Sequence, residues 1–323
     1  MTRGLAVLLL AGILAGGPLR RAEALRIPGW RSAEFKAVEA EFEEGRCDEV
    51  IKTLSGSGLE RLRFSGGLNR AYLYLGICHE RARQFDKAMG VYQLGAQLFP
   101  RDRDMLARLG LLLHAMKLDE AARPVLERVL TLYPRHPAAL VCLAEIERTL
   151  GFLDRSVDYY ERALEIRDKD ASLYRTYAEA LYDRRSFASA ETAIRWSLKL
   201  EPSHESLLVL AHIRRARGSS MEAVDLAREA GAAAPAEEAL SYAILAAVWH
   251  MEAGQWHNAW AQAGLVLKEV PDHPLARYVR ARAHLQSGRR EAALKDLAVA
   301  AAGTAPFVAK ASSALTEEIL TSP

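Results

Sequence analysis

The chain has 323 residues, 50% apolar and 7% aromatic, with 43 basic against 41 acidic side chains and a formal net charge of +2. So even a balance gives no basic field of the kind that holds a nucleic-acid backbone, and no nucleic-acid partner is expected. Three cysteines without a CxxC pair exclude a cysteine-rich zinc site or a thioredoxin-type dithiol.

Met1 to Ala24 reads MTRGLAVLLLAGILAGGPLRRAEA, with Arg3, an apolar run from Leu5 to Leu14, and Ala22-Glu23-Ala24 before Leu25. This is the form of a secretory signal peptide cleaved after Ala24. Arg20 and Arg21, just beyond the apolar run, oppose translocation. An uncleaved membrane anchor over residues 1–24 and an organelle-type presequence therefore stand as alternatives, although residues 4–19 fall short of the ~20 apolar residues of a comfortable span. The expected location is an exported one, the bacterial periplasm or cell envelope. The brevity of the leader and the Arg/Ala-rich composition are what point to bacteria.

Residues 25–68 read as a linker, broken by Pro28-Gly29, and a degenerate capping repeat. A helix begins after Ser32, an N-cap residue type, with Gly45 at a turn and Val50 and Leu54 on the apolar face beyond it. Glu34, Glu39, Glu41, Glu43 and Glu44 suit the solvated outer side of a terminal unit better than an acidic binding patch. Ser55 to Gly58 and Ser65 to Gly67 mark a loosened join.

Asn69 to Asp102 is the unit that the chain then repeats. Tyr72, Leu75, Gly76 and Cys78 recur at helical spacing, Arg81 to Phe85 interrupt the pattern, and Ala88, Tyr92 and Gly95 resume it before Pro100, which cannot continue a helix. Prolines at 100, 134, 202, 235, 271 and 306 lie at intervals of 34, 68, 33, 36 and 35 residues. One column reads Gly76, Gly110, Ala144, Ala178, Ala211, Ala247 and Ala281; a second reads Ala88, Ala122, Ser156, Ala190, Ala223, Ala259 and Ala293. Small residues in both columns let two helix backbones approach closely, while Leu109, Leu126, Leu143, Tyr160, Tyr177, Ile194 and Leu210 fill the space around them. No linker interrupts this run, so one continuous array is expected. Pro306 and beyond, with Phe307, Val308, Ala311, Leu315 and Ile319, reads as a capping helix and tail over residues 307–323.

These columns resemble the tetratricopeptide repeat family, with seven tandem units over residues 69–306. The resemblance implies an all-α fold, an α-solenoid in which helix-turn-helix repeats wind into a right-handed superhelix. It also implies a groove lined by the first helices. Mapped onto this chain, that groove holds Leu73, Tyr74, Ile77 and Arg81, then Arg108, Leu111 and His114. Val141, Glu145 and Arg148 follow, then Arg175, Glu179 and Tyr182. It continues through Leu208, Val209 and His212, then Ile244, Leu245, Val248 and Met251, and ends at Tyr278, Val279 and Arg282. Chaperone-binding members clamp a terminal carboxylate with Lys and Asn; here Leu73, Ala107, Val141, Leu208 and Ile244 occupy the Lys position, which disfavours such a ligand. An apolar floor with scattered charges suits an amphipathic helix or extended peptide of a partner protein, and the sixth unit, with Ile244, Leu245, Val248 and Met251, is the expected hot spot.

Nothing in the sequence organises chemistry. The nine histidines form no HExxH pair, and GxSxG, GxxxxGK[ST] and GxGxxG are missing. No enzyme, metal or cofactor is expected, and His114, His212 and His250 read as structural or contact residues. Cys78 reads as a core residue by default; an oxidising compartment would allow a Cys47–Cys78 bridge. Arg277, Arg280, Arg282, Arg289 and Arg290 form the densest basic group, whose stems cover apolar surface, with an anionic ligand site as the rival. The expected function is that of a non-enzymatic scaffold or adaptor. The alternative is a membrane-anchored assembly component of a secretion, pilus or motility machine.

Overall fold

The computed structural model describes residues 33–62 and 67–321, so the leader over residues 1–24 and the Pro28-Gly29 linker lie outside the described residues. Among the described residues there are eighteen helices and no strand. They fall into two compact units, one ending at Pro134 and the other beginning at Arg135. The even repeat spacing across that point does not announce the division, because period reports the unit and not where one core stops.

The first unit holds α1 (Ala33–Glu43), α2 (Cys47–Leu54), a single turn α3 (Gly58–Arg61), α4 (Leu68–Arg81), α5 (Phe85–Leu98), α6 (Arg103–Ala115) and α7 (Asp119–Leu132). Val38, Val50, Leu54, Leu62, Ala71, Leu75 and Cys78 form its N-terminal core, with Phe35 and Phe42 packed against them. Cys47, which opens α2, is bonded to the fully buried Cys78 of α4, the two Cα atoms 5.0 Å apart. The small residues sit where helices meet: a Cβ added to Gly76 would lie 2.2 Å from the Tyr92 ring, and one added to Gly110 would lie 2.5 Å from Leu126.

The second unit holds α8 (Pro137–Thr149), α9 (Leu153–Leu164), α10 (Ala171–Asp183), α11 (Phe187–Leu200), α12 (His204–Ala216), α13 (Ser220–Ala233), α14 (Ala236–Glu252), α15 (Trp256–Glu269), α16 (Pro274–Gln286), α17 (Arg290–Ala302) and α18 (Pro306–Thr321). Its small columns, Ala144 to Ala281 and Ser156 to Ala293, are buried at every position named above. Ser156 keeps its hydroxyl in that apolar setting by donating to the Ala144 carbonyl oxygen at 2.8 Å. Helix α18 packs on α17 through Ile319 and Leu315. Phe307, expected on that inner side, is instead 85% exposed, because Val308 and Ser312 take the buried face.

Two local devices recur. First helices α6, α8, α10, α12 and α16 start with a side-chain cap, from Asp102, His136, Asp170, Ser203 and His273, each accepting from the backbone N–H three residues on. The turn into each second helix has one residue at positive φ: Gly45, Arg83, Lys117, Gly151, Arg185, Gly218, Gly254 and Gly288. The next residue donates its N–H back five positions at 2.8 to 2.9 Å, as in Phe152 to Glu147 and Ser219 to Arg214. This left-handed ending satisfies orphan carbonyls of the first helix and reverses the chain.

Candidate partner-binding face

In the first unit the mapped residues lie on α4 and α6. Leu73, Tyr74, Ile77, Leu111 and His114 are half-buried, and Arg108 is exposed. Tyr74 does not face an open surface: its ring stacks on Phe42 at 4.1 Å and its hydroxyl donates to Glu39 Oε1 at 3.2 Å, so α1 covers it. Burial and then Glu39 raise its pKa, which keeps it a donor. His114 meets Asp119 Oδ1 at 2.6 Å through Nδ1, tying the end of α6 to the start of α7. The same device joins buried His250 to Gln255 at 2.6 Å.

In the second unit the mapped residues lie on α8, α10, α12, α14 and α16, and Arg148, Arg175, Glu179, Tyr182 and His212 take part in two kinds of rung between successive first helices. The polar rung joins α8 to α10: Arg148 Nη1 lies 3.1 Å from Glu179 and 3.3 Å from Asp183, while Arg175 reaches the other Glu179 oxygen at 3.2 Å. The aromatic rung runs from Tyr182 to His212 at 6.4 Å and from His212 edge-on to Trp249 at 5.1 Å. Burial, and then the charge of Arg215, lowers the His212 pKa, so the ring is neutral near pH 7. Arg215 lays its guanidinium over Trp249, 5.3 Å from the centroid, and pairs with Glu252. Tyr182, Arg215, Ala216, Ser220, Trp249, Glu252 and Ala253 line a cleft of about 320 Å³ there.

The sixth unit is less open than the sequence suggests. Ile244, Val248 and Met251 pack on the core shared by α14, α15 and α16, and Leu245 and Val248 on the core shared by α12, α13 and α14. All four are half-buried rather than solvent-facing, because an apolar residue on a first helix also meets the helices on either side of it. Leu208 is half-buried against the same core. Val279 is fully buried and belongs to the core rather than to the face. Tyr278 and Arg282 remain half-buried, with Arg282 bonded to the Tyr278 hydroxyl at 3.3 Å and stacked over Trp256 at 5.9 Å.

The basic group on α16 is committed internally. Arg280 grips Asp296 through two nitrogens and Arg277 adds a third contact, so these two charges serve a buried carboxylate rather than an external anion. Glu191 is a second buried carboxylate, held by Arg195, Arg214 and Arg217 between α11 and α12. Among the described residues no group of metal-ligating side chains gathers, and no helix is long and apolar enough to cross a membrane.

Arg215 and Glu252 are the face residues that sequence reasoning passed over; Trp249, which flanks the sixth-unit residues as a packing residue, is 4% exposed and lines the cleft from the core. Arg215 stands in the column of Arg148 and Tyr182, at spacings of 34 and 33 residues, which is the signal that would have found it.

Family models for the tetratricopeptide repeat match residues 70–100 and 117–171. These two stretches are tetratricopeptide repeats. A tetratricopeptide repeat protein from Parabacteroides merdae superposes with a TM-score of 0.54 at 14% identity, covering 88% of this chain and 97% of that one. The Cut9–Hcn1 hetero-tetramer of the APC/C gives 0.53 at 13%, over 91% and 57% of the two chains. Pseudomonas aeruginosa pilF gives 0.50 at 17%, over 60% and 88%. At these identities the likeness concerns the fold, an all-α stack of tetratricopeptide hairpins. No curated protein matches the sequence. The repeats and the stack they build support a protein–protein interaction scaffold.

Proposed function

We propose that this scaffold holds a segment of a partner protein along the first-helix face of its second unit, between α10 and α14. One observation carries the reading: in that stretch, half-buried Arg175, Glu179, Tyr182, Leu208 and His212 gather on one face beside a cleft. Apolar side chains flanked by oriented polar ones are what a helical or extended peptide needs for affinity and register. The residues differ from the Lys and Asn clamp for a terminal carboxylate, so an internal segment is the expected ligand.

The Cys47–Cys78 bridge supports an oxidising compartment, in line with export through the segment before Leu25. The proposal accordingly extends to a periplasmic or other envelope location and an envelope partner, with no catalytic step by this chain.

Val248 and Met251 are poor probes, since both pack on the core. Arg175→Ala with Tyr182→Ala removes two half-buried face residues and leaves the small columns intact. Partner recovery from native envelope extract should fall at least tenfold at unchanged helicity, the loss of about 1.4 kcal/mol or more that truncating interface anchors brings. Recovery at wild-type levels would move the contact to another surface. N-terminal sequencing tests the location: Leu25 as the first residue supports cleavage, and an intact Met1 in the soluble fraction contradicts the envelope assignment.

A further inference from the structure

Resting on that reading of the face, we propose that the cleft between α10, α12 and α14 is a guanidinium pocket, into which the partner inserts an arginine side chain. The free protein already fills part of it with such a group. Arg215 lies over Trp249 at 5.3 Å and pairs with Glu252, so an aromatic face and a carboxylate stand where a flat cation can use both. Tyr182 supplies a second ring on the wall, and the remaining space is about 320 Å³.

The surrounding charges favour a cation. Glu252 is the carboxylate that lines the cleft, whereas Asp183, next to Tyr182, pairs with Arg148 on the neighbouring first helix. His212 is held neutral by burial and by Arg215, so it adds no positive charge. Arg214 is turned away to Glu191 and Glu222. Arg215 and Glu252 are 42% and 45% exposed, and an exposed pair of this kind is held weakly. The Arg215 stem can therefore swing into water while a guest guanidinium takes its place. A carboxylate guest would instead meet Glu252 and the negative faces of the Trp249 and Tyr182 rings.

The test uses the full chain labelled with nitrogen-15, following the Trp249 indole N–H, assigned with Trp249→Phe, during titration with N-acetyl-arginine amide. The lysine, glutamate and phenylalanine analogues serve as comparisons. A saturable shift is expected with the arginine compound, weaker with lysine and undetectable with the other two. Arg215→Ala empties the pocket and should tighten arginine binding by about twofold to fivefold, the worth of an exposed pair. Glu252→Gln should weaken it about fivefold or more, as for loss of a charged hydrogen bond. Weaker binding in Arg215→Ala, indifference to Glu252→Gln, a stronger response to the glutamate or phenylalanine compound, or no saturable shift at all would each overturn the pocket. The probe is a single amino acid, so failure here leaves partner recovery through Arg175 and Tyr182 to be judged separately. Saturable arginine binding with undisturbed partner recovery would retain the pocket and sink the docking face.

Discussion

Arg280 holds the buried carboxylate of Asp296 from two sides, Nε donating to Oδ2 at 2.7 Å and Nη2 to Oδ1 at 2.6 Å. Burial alone would raise the Asp296 pKa. The hydrogen bonds and charges of Arg280 and Arg277 outweigh it and set the group below its ordinary value of 3.8. A carboxyl whose folded pKa is depressed stabilises the fold above its unfolded-state pKa, and that contribution is lost as pH falls through the folded value. Asp296→Asn should lower stability at pH 7 by about 1–3 kcal/mol, less than for a fully buried pair because both arginines keep some solvent. Thermal unfolding followed from pH 7 down to pH 2 should show the gap to wild type narrowing below about pH 4. A constant gap would contradict the assignment.

Arg83, Lys117 and Arg185 adopt φ of 57°, 62° and 62° at turns where the other repeats place glycine. A side chain there costs about 1 kcal/mol or more, partly offset because glycine has more freedom to lose on folding. Lys117→Gly is therefore expected to stabilise by about 0.5 kcal/mol, and Gly151→Ala to destabilise by about 1 kcal/mol. Chemical denaturation measures both; stabilisation by Gly151→Ala would show that the left-handed turn is not required.

The Cys47–Cys78 bridge spans 31 residues of sequence and ties α2 to α4. Constraining a loop of that length in the unfolded chain is worth about 3–4 kcal/mol in the chain-entropy model. Reduction, or Cys47→Ala with Cys78→Ala, should lower protection of α1 and α2 amides in hydrogen exchange and leave α14 to α17 unaffected. Equal loss of protection throughout would mean that the bridge supports more than its own corner.

Gly76 has no room to grow, since its added Cβ would meet the Tyr92 ring. Gly76→Val should cost about 1–3 kcal/mol by overpacking, and amide exchange in α4 and α5 should report it first. An unshifted midpoint would put Gly76 outside the helix contact.

The sequence exposes what recurs. Gly76 and Ala88, and their equivalents in every later unit, are small because two backbones meet there, and a period makes such a constraint visible. What does not recur is harder to read. Val279 and Tyr278 are adjacent, yet only the first is core, a difference of rotation about a helix axis that apolar spacing resolves poorly. Val248 reads as an open floor until α12 and α16 are placed beside it. Arg277 and Arg280 read as a basic patch because Asp296, 16 to 19 residues away, is joined to them only by the fold.

The docking face is tested most directly by site-specific photo-crosslinking in native cells. A photoreactive residue at position 182 or 208, on first helices, should capture one partner, and the same residue at position 265, an exposed leucine on second helix α15, should not. Capture from position 265 with none from 182 or 208 would contradict the account.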